Sequence, residues 1–185
     1  MNKKNQIIVG LLVIASISFV IFQFLILPAQ QKELDIYHQN QTDALSHDIT
    51  SIKKFQHPYI GNTSNVINLF NRLPLNHIDM KFAINSNQKT LTVKYSGNTK
   101  NIGTSKIQRD LLYNSVVAMA TIDNLSAITY NFRDNSYQFG RDEIESIFSE
   151  PLSTLLESEQ FQQKLNTKLK DDQFLRELFK KQQPK

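Results

Sequence analysis

The feature that most constrains this chain is a run of 21 residues, Ile7 to Leu27, without a single charge. Only Gly10, Ser16, Ser18 and Gln23 dilute its apolar character. At a rise of about 1.5 Å per residue the run spans roughly 30 Å, the thickness of a bilayer's hydrocarbon core. A surface helix of a soluble protein keeps an apolar stripe and a polar face, so a segment apolar on every side predicts a membrane span. A cleaved signal peptide has a shorter apolar stretch, about 7–15 residues, ending at a small-x-small site. Here the run ends at Leu27-Pro28-Ala29, which puts leucine where a small residue should stand, so the expectation is an uncleaved anchor.

Orientation follows from the flanks. Lys3 and Lys4 precede the span, whereas Lys32 beyond it is balanced by Glu33 and Asp35. The excess of positive charge marks the cytoplasmic side. The expected organisation is a cytoplasmic N-terminus (1–6), a transmembrane helix (7–27), a stalk (28–43), an extracytoplasmic α+β domain (44–150) and a helical, basic tail (151–185). The localisation expected is therefore a single-pass protein of the cell membrane.

Composition narrows the function classes. The chain has no cysteine, which removes disulfides, thiolate metal sites, thiol nucleophiles and lipidation through cysteine. A disulfide-free domain outside the cytoplasm points to a bacterial cell envelope, where the sequons at Asn40, Asn62 and Asn124 carry no meaning. Setting aside Lys3 and Lys4, 19 basic residues face 17 acidic ones, a balance that gives no case for nucleic acid.

Beyond the span, periodicity sketches a fold. Leu45, Ile49, Ile52 and Phe55 recur at helical steps and predict a short amphipathic helix ending at His57-Pro58. Tyr59-Ile60-Gly61-Asn62-Thr63-Ser64 reads as a turn and helix cap, with Val66, Ile67, Leu69 and Phe70 on the helix and Leu73-Pro74-Leu75 closing it. Ile78–Ile84 and Thr90–Tyr95 alternate around a turn at 85–88, a hairpin with one buried face. A loop to about Gly103 precedes a helix over 105–122, with Ile107, Leu111, Leu112, Ser115, Val116, Met119 and Ile122 on its apolar side. A second hairpin joins 127–132 to 137–139, Asp142 caps a helix over 143–148, and Phe161, Leu165, Leu169, Leu175, Leu178 and Phe179 stripe the tail. Residues 182–185 are expected to be disordered. The fold class expected is α+β, in helix–hairpin–helix–hairpin–helix order, with an antiparallel sheet covered by helices.

Several of these residues carry a family resemblance. Tyr59-Ile60-Gly61-Asn62-Thr63-Ser64-Asn65-Val66, Leu73-Pro74-Leu75, Leu91-Thr92-Val93-Lys94-Tyr95 and the segment Ala118 to Asn124 resemble the bacterial domain of unknown function numbered four-eight-two-five, over about residues 50–150. The resemblance implies low-GC Gram-positive bacteria, lipoproteins and membrane-anchored proteins, sometimes fused to sensor-peptidase-like or regulatory membrane proteins. It carries over no catalytic residue. The chain departs from lipoprotein members in having a membrane helix in place of the lipid-bearing cysteine.

Candidate chemistry is sparse. His38, His47, His57 and His77 never stand three or four apart and read as exposed loop and helix residues. No serine elbow or glycine-rich phosphate loop is present. The acids Asp142-Glu143, Glu145 and Asp171-Asp172 read as helix-start charges that complement the dipole. The place for a ligand or partner is Tyr59, Gly61, Asn62, Thr63 and Ser64, where helix-start amides can meet an anion or a peptide carboxylate. A purely structural reading of the same loop gives Gly61 a positive φ, lets Asn62 or Thr63 cap the helix and packs Tyr59 beneath it. The tail from Gln163 to Lys185 has seven basic and three acidic residues. It reads as a terminal helix on its own domain, or as one that lies on an anionic membrane surface. No catalytic residue, cofactor or metal is expected. The function expected is a non-enzymatic binding, sensing or regulatory module that meets an envelope or membrane protein. The alternative is an accessory subunit recognised through its transmembrane helix.

Overall fold

A computed structural model describes residues 2–157 and 160–182, and the chain divides into two compact units, Met1–Gln39 and Asn40–Lys185. The first is one unbroken helical rod, Lys3–Asn40, of 38 residues, long and apolar enough to cross a membrane. It comprises α1 (Lys3–Ile21), a π-helical turn (Phe22–Ile26) and α2 (Leu27–Asn40). Pro28 explains the wide turn. Proline has no N–H and its ring crowds the carbonyl four residues back, so the helix loosens there and the Leu27 N–H reaches Phe22 O, five residues back. Ser16 returns its hydroxyl to Leu12 O at 2.8 Å, which satisfies the group within the helix.

The second unit follows the order α3 (Thr63–Phe70), β1 (Met80–Asn85), β2 (Thr90–Tyr95), α4 (Thr99–Ile102), α5 (Thr104–Thr121), β3 (Ala127–Asn131), β4 (Ser136–Gly140), α6 (Arg141–Phe148), α7 (Leu152–Glu157), α8 (Phe161–Leu169) and α9 (Asp172–Gln182). The strands lie in the order β1-β2-β3-β4. Each hairpin is antiparallel, but β2 pairs with β3 in parallel, Leu91 opposite Ile128 and Val93 opposite Tyr130. The expectation of an antiparallel sheet is corrected to a mixed one. The cause is α5: the chain leaves β2, crosses over in a helix and re-enters beside β2, and a crossover connection of that kind joins strands running the same way.

One face of the sheet is apolar, with Leu91, Val93, Tyr95, Ile128, Tyr130, Tyr137 and Phe139 buried. Helix α5 lies over it, and Ser115 Oγ donates to the Tyr130 hydroxyl at 3.1 Å. Helices α6, α7, α8 and α9 also pack on α5, so every residue from Asp110 to Thr121 is buried, not one stripe of them. Arg141 closes the C-terminal end of α5, donating to Met119 O at 2.7 Å and Ile122 O at 2.8 Å, where a cation offsets the helix dipole.

Local departures from the sequence expectations have physical reasons. Residues 45–55 form two 3₁₀ turns, Ile49–Ser51 and Lys53–Phe55, because the Asp48 side chain accepts from both Thr50 N (2.9 Å) and Thr50 Oγ1 (2.6 Å) and so competes with a regular helix. The loop after β2 contains the short helix α4, held by the Asp134 carboxylate on the Thr99 amide at 2.9 Å. Helix α6 starts at Arg141 after Gly140, with no side-chain cap from Asp142. Gln182 is helical and buried, donating to Glu143 Oε1 at 2.7 Å, while 183–185 lie outside the described residues.

Candidate functional site

The loop that sequence reading singles out is laid down by a strip of parallel pairing. His57 N donates to Thr121 O at 2.8 Å, Asp123 N returns to His57 O at 3.2 Å, and Asn124 N reaches Pro58 O at 3.2 Å. The Asn124 side chain then accepts from Ile60 N at 2.7 Å, and Ile60 is fully buried. Two of the segments that carry the family resemblance, at 59–66 and 118–124, are thereby joined. Asn62 caps α3, its Oδ1 accepting from Asn65 N at 3.1 Å, and Asn65 Nδ2 donates to Phe55 O at 2.7 Å.

Two details of the structural reading need correction. Gly61 has no positive φ, and a Cβ built on it would meet Ser86 Oγ at an ordinary 3.5 Å, so backbone conformation does not require glycine there. Tyr59 does not pack beneath the helix. It is 64% exposed, with its ring edge against His57 at 6.2 Å and its amide donating to His57 Nδ1 at 3.1 Å. Gly61, Asn62, Thr63 and Ser64 are exposed beside it, at the turn of the β1–β2 hairpin. Tyr59 is the large side chain of this loop that the core leaves in water.

A second constellation escaped sequence reading. Lys106, Asp110 and Tyr113 lie at i, i+4 and i+7 on α5, and they clasp the segment 42–47. Lys106 Nζ donates to Thr42 O and to Asp110 Oδ2, both at 2.8 Å, and stands 3.7 Å from Asp43 Oδ2. Asp110 Oδ1 accepts from Ala44 N at 3.2 Å. His47 is buried, not exposed as expected: its Nδ1 meets the Tyr113 hydroxyl and its Nε2 meets Arg72 O, each at 2.7 Å. A neutral ring satisfies both, accepting from tyrosine at Nδ1 and donating to the carbonyl from Nε2. Burial raises the Asp110 carboxyl to about 6, opposed chiefly by the Lys106 hydrogen bond, while burial lowers His47. Next to this clasp, Asn114 Nδ2 donates to Pro74 O at 2.8 Å and so holds the turn in which Leu75 adopts φ 72. The signal for this cluster was helical spacing among polar residues, which an apolar-stripe search passes over.

The domain surface also carries concavities. One of about 390 Å³ is lined by Thr99, Thr104, Gln108, Lys100, Arg176 and Lys180, of which Lys180 is bonded to Glu177 at 2.8 Å. Among the described residues, no group of three or more His, Cys, Asp or Glu side chains could hold a metal ion.

The chain is therefore a small α+β domain, a mixed sheet wrapped round a central helix, following an apolar N-terminal rod. Residues 52–142 match the family described as "Domain of unknown function (DUF4825)", and that segment is a domain of this family. The match runs from the 3₁₀ turns to the first turn of α6 and includes Arg141, the Tyr59 loop and the whole sheet. No curated protein and no solved structure matches the chain.

Proposed function

We propose that the chain is a single-pass membrane protein of the bacterial cell envelope, with its N-terminus in the cytoplasm. Its domain acts outside as a non-enzymatic binding, sensing or regulatory module and meets an envelope or membrane protein through Tyr59, Gly61, Asn62, Thr63 and Ser64. The observation that carries this reading is the contrast within one loop. Ile60, Asn62 and the Asn124 partner are spent on the fold, while Tyr59 is left 64% exposed. An exposed aromatic offers large contact area at small conformational cost, the usual anchor of a protein interface. The unbroken helix Lys3–Asn40, with its charge-free stretch 7–27, supports the membrane part of the proposal.

The chain's lack of cysteine makes topology directly measurable. Single variants Ser96→Cys, in the domain, and Asn5→Cys, before the span, are treated in intact cells with a membrane-impermeant maleimide. Labelling at 96 and not at 5 is the expected pattern, and the reverse pattern rejects the orientation. A photo-crosslinking amino acid at position 59 then captures the partner, first with the native span and again with an unrelated one. Capture by both supports the module. Capture that needs the native span moves recognition to the membrane helix, the accessory-subunit reading.

A further inference from the structure

Strand β1 is an edge with unusual chemistry on both of its faces. Asp79 O accepts from Ser96 N at 2.9 Å, so the antiparallel alternation turns the backbone groups of residues 79, 81, 83 and 85 toward β2. Those of Met80, Phe82 and Ile84 face the free edge. Their side chains form the outer row of the apolar face and remain half-buried, with Phe82 against Phe70 of α3 at 5.6 Å. Ile67, one turn earlier on α3, is 37% exposed. Backbone donors and acceptors thus run beside an apolar shelf.

On the other face the register sets Lys81 directly opposite Lys94, and both are exposed. Like charges in that position repel. Among the described residues neither lysine makes an ion pair, and Asp79, two residues along, pairs with neither. Apart from Asp79, the flanking neighbours on this face are Ala83, Thr92 and Asn131, none of which supplies a counter-charge. A strand added to β1 would place its own side chains opposite Lys81 on one face and opposite Phe82 and Ile84 on the other.

We infer that the free edge of β1 takes up an extended segment of another protein in which acidic residues alternate with apolar ones. The acidic residues answer Lys81 and Lys94, the apolar ones cover Phe82 and Ile84, and the backbone completes a five-stranded sheet. A second copy of this chain fits less well, because each copy brings a single acid on this face, Asp79, against the two lysines Lys81 and Lys94. The hairpin turn at Ser86 touches Gly61, so the added strand ends beside Tyr59.

The inference deepens the binding-module reading and rests on it, but its test uses the purified full chain in detergent micelles. It can therefore fail while crosslinking at Tyr59 in cells still succeeds. The probe is a short fluorescent peptide alternating glutamate and valine, read by anisotropy. Saturable binding is expected, weakened about tenfold by Lys81→Glu with Lys94→Glu, the same exchange favouring a lysine–valine peptide. N-methylation of alternate peptide amides abolishes binding for the set that faces β1 and spares it for the other set. Equal affinity for the charge-reversed chain, or tolerance of both methylated sets, overturns the inference. So does a disulfide-linked dimer of Ala83→Cys formed in place of peptide binding.

Discussion

At β4 the apolar row of the sheet is closed by α9: Phe179 sets its ring against Tyr137 at 5.5 Å and Phe139 at 5.3 Å, and all three are buried. At β1 the equivalent row, Met80, Phe82 and Ile84, runs out half-buried, with Phe70 of α3 against Phe82 on its inner side. One side of the sheet is thus finished by a helix that lies beyond the family match at 52–142. The other side is left with unpaired backbone and a repelling pair of lysines. Such an edge is a template for pairing, and a lysine on it, here Lys81, restricts which strands can add. The difference separates the side where the fold covers its own apolar row from the side where it leaves that row at an open edge.

The largest expected effect comes from breaking the closed side. Phe179→Ala removes a buried ring from its two aromatic neighbours on β4, Tyr137 and Phe139, and should cost about 3–5 kcal/mol. Urea denaturation of the full chain in micelles, followed by tyrosine fluorescence, measures it. A loss below that of Phe82→Ala at β1 would deny that α9 closes the sheet.

The clasp on α5 gives the next effect, and pH reads it. Asp110 is raised in the folded state from 3.8 to about 6, so the fold binds this proton more tightly than the unfolded chain does. The associated stability is full below pH 3.8 and is lost as pH rises through about 6, on the order of 3 kcal/mol. His47, lowered by burial, acts in the opposite sense, losing stability as pH falls below its ordinary value. The comparison of wild type with Asp110→Asn isolates the carboxyl: their stability difference should shift against the wild type between pH 4 and 7. A difference independent of pH contradicts the burial of an ionisable Asp110.

Phe82→Ala on the open side should cost only about 1–2 kcal/mol, because the ring is only partly buried. Smallest of all, Lys94→Thr should stabilise the free chain by about 0.2–1 kcal/mol by removing the repulsion with Lys81. A destabilised Lys94→Thr would mean that the lysine is held by the fold and not kept for a partner.

How much of this was legible beforehand depended on how local the cause was. The alternation from Ile78 to Ile84 and from Thr90 to Tyr95 announces a hairpin because period two is read along one segment. The parallel pairing of β2 with β3 depends on the path of α5 between them, which no window of sequence contains. The same holds for burial of charge. Lys106, Asp110 and Tyr113 look like a solvated helix face until the segment 42–47 is brought against them, and His47 looks like a loop residue until Tyr113 and Arg72 O meet it. In the Tyr59 loop the Asn62 cap was legible because capping is local. The Asn124 bond to Ile60 and the exposure of Tyr59 were not, since both follow from pairing across the fold.

The most direct test of the open edge is residue-resolved hydrogen exchange on the full chain in micelles, with and without the glutamate–valine peptide. Fast exchange is expected at the amides of Met80, Phe82 and Ile84 in the free chain, with marked protection when the peptide is added and Tyr137 and Phe139 unchanged. Slow exchange at those three amides before any peptide is present, or protection that appears elsewhere on the domain, would contradict it.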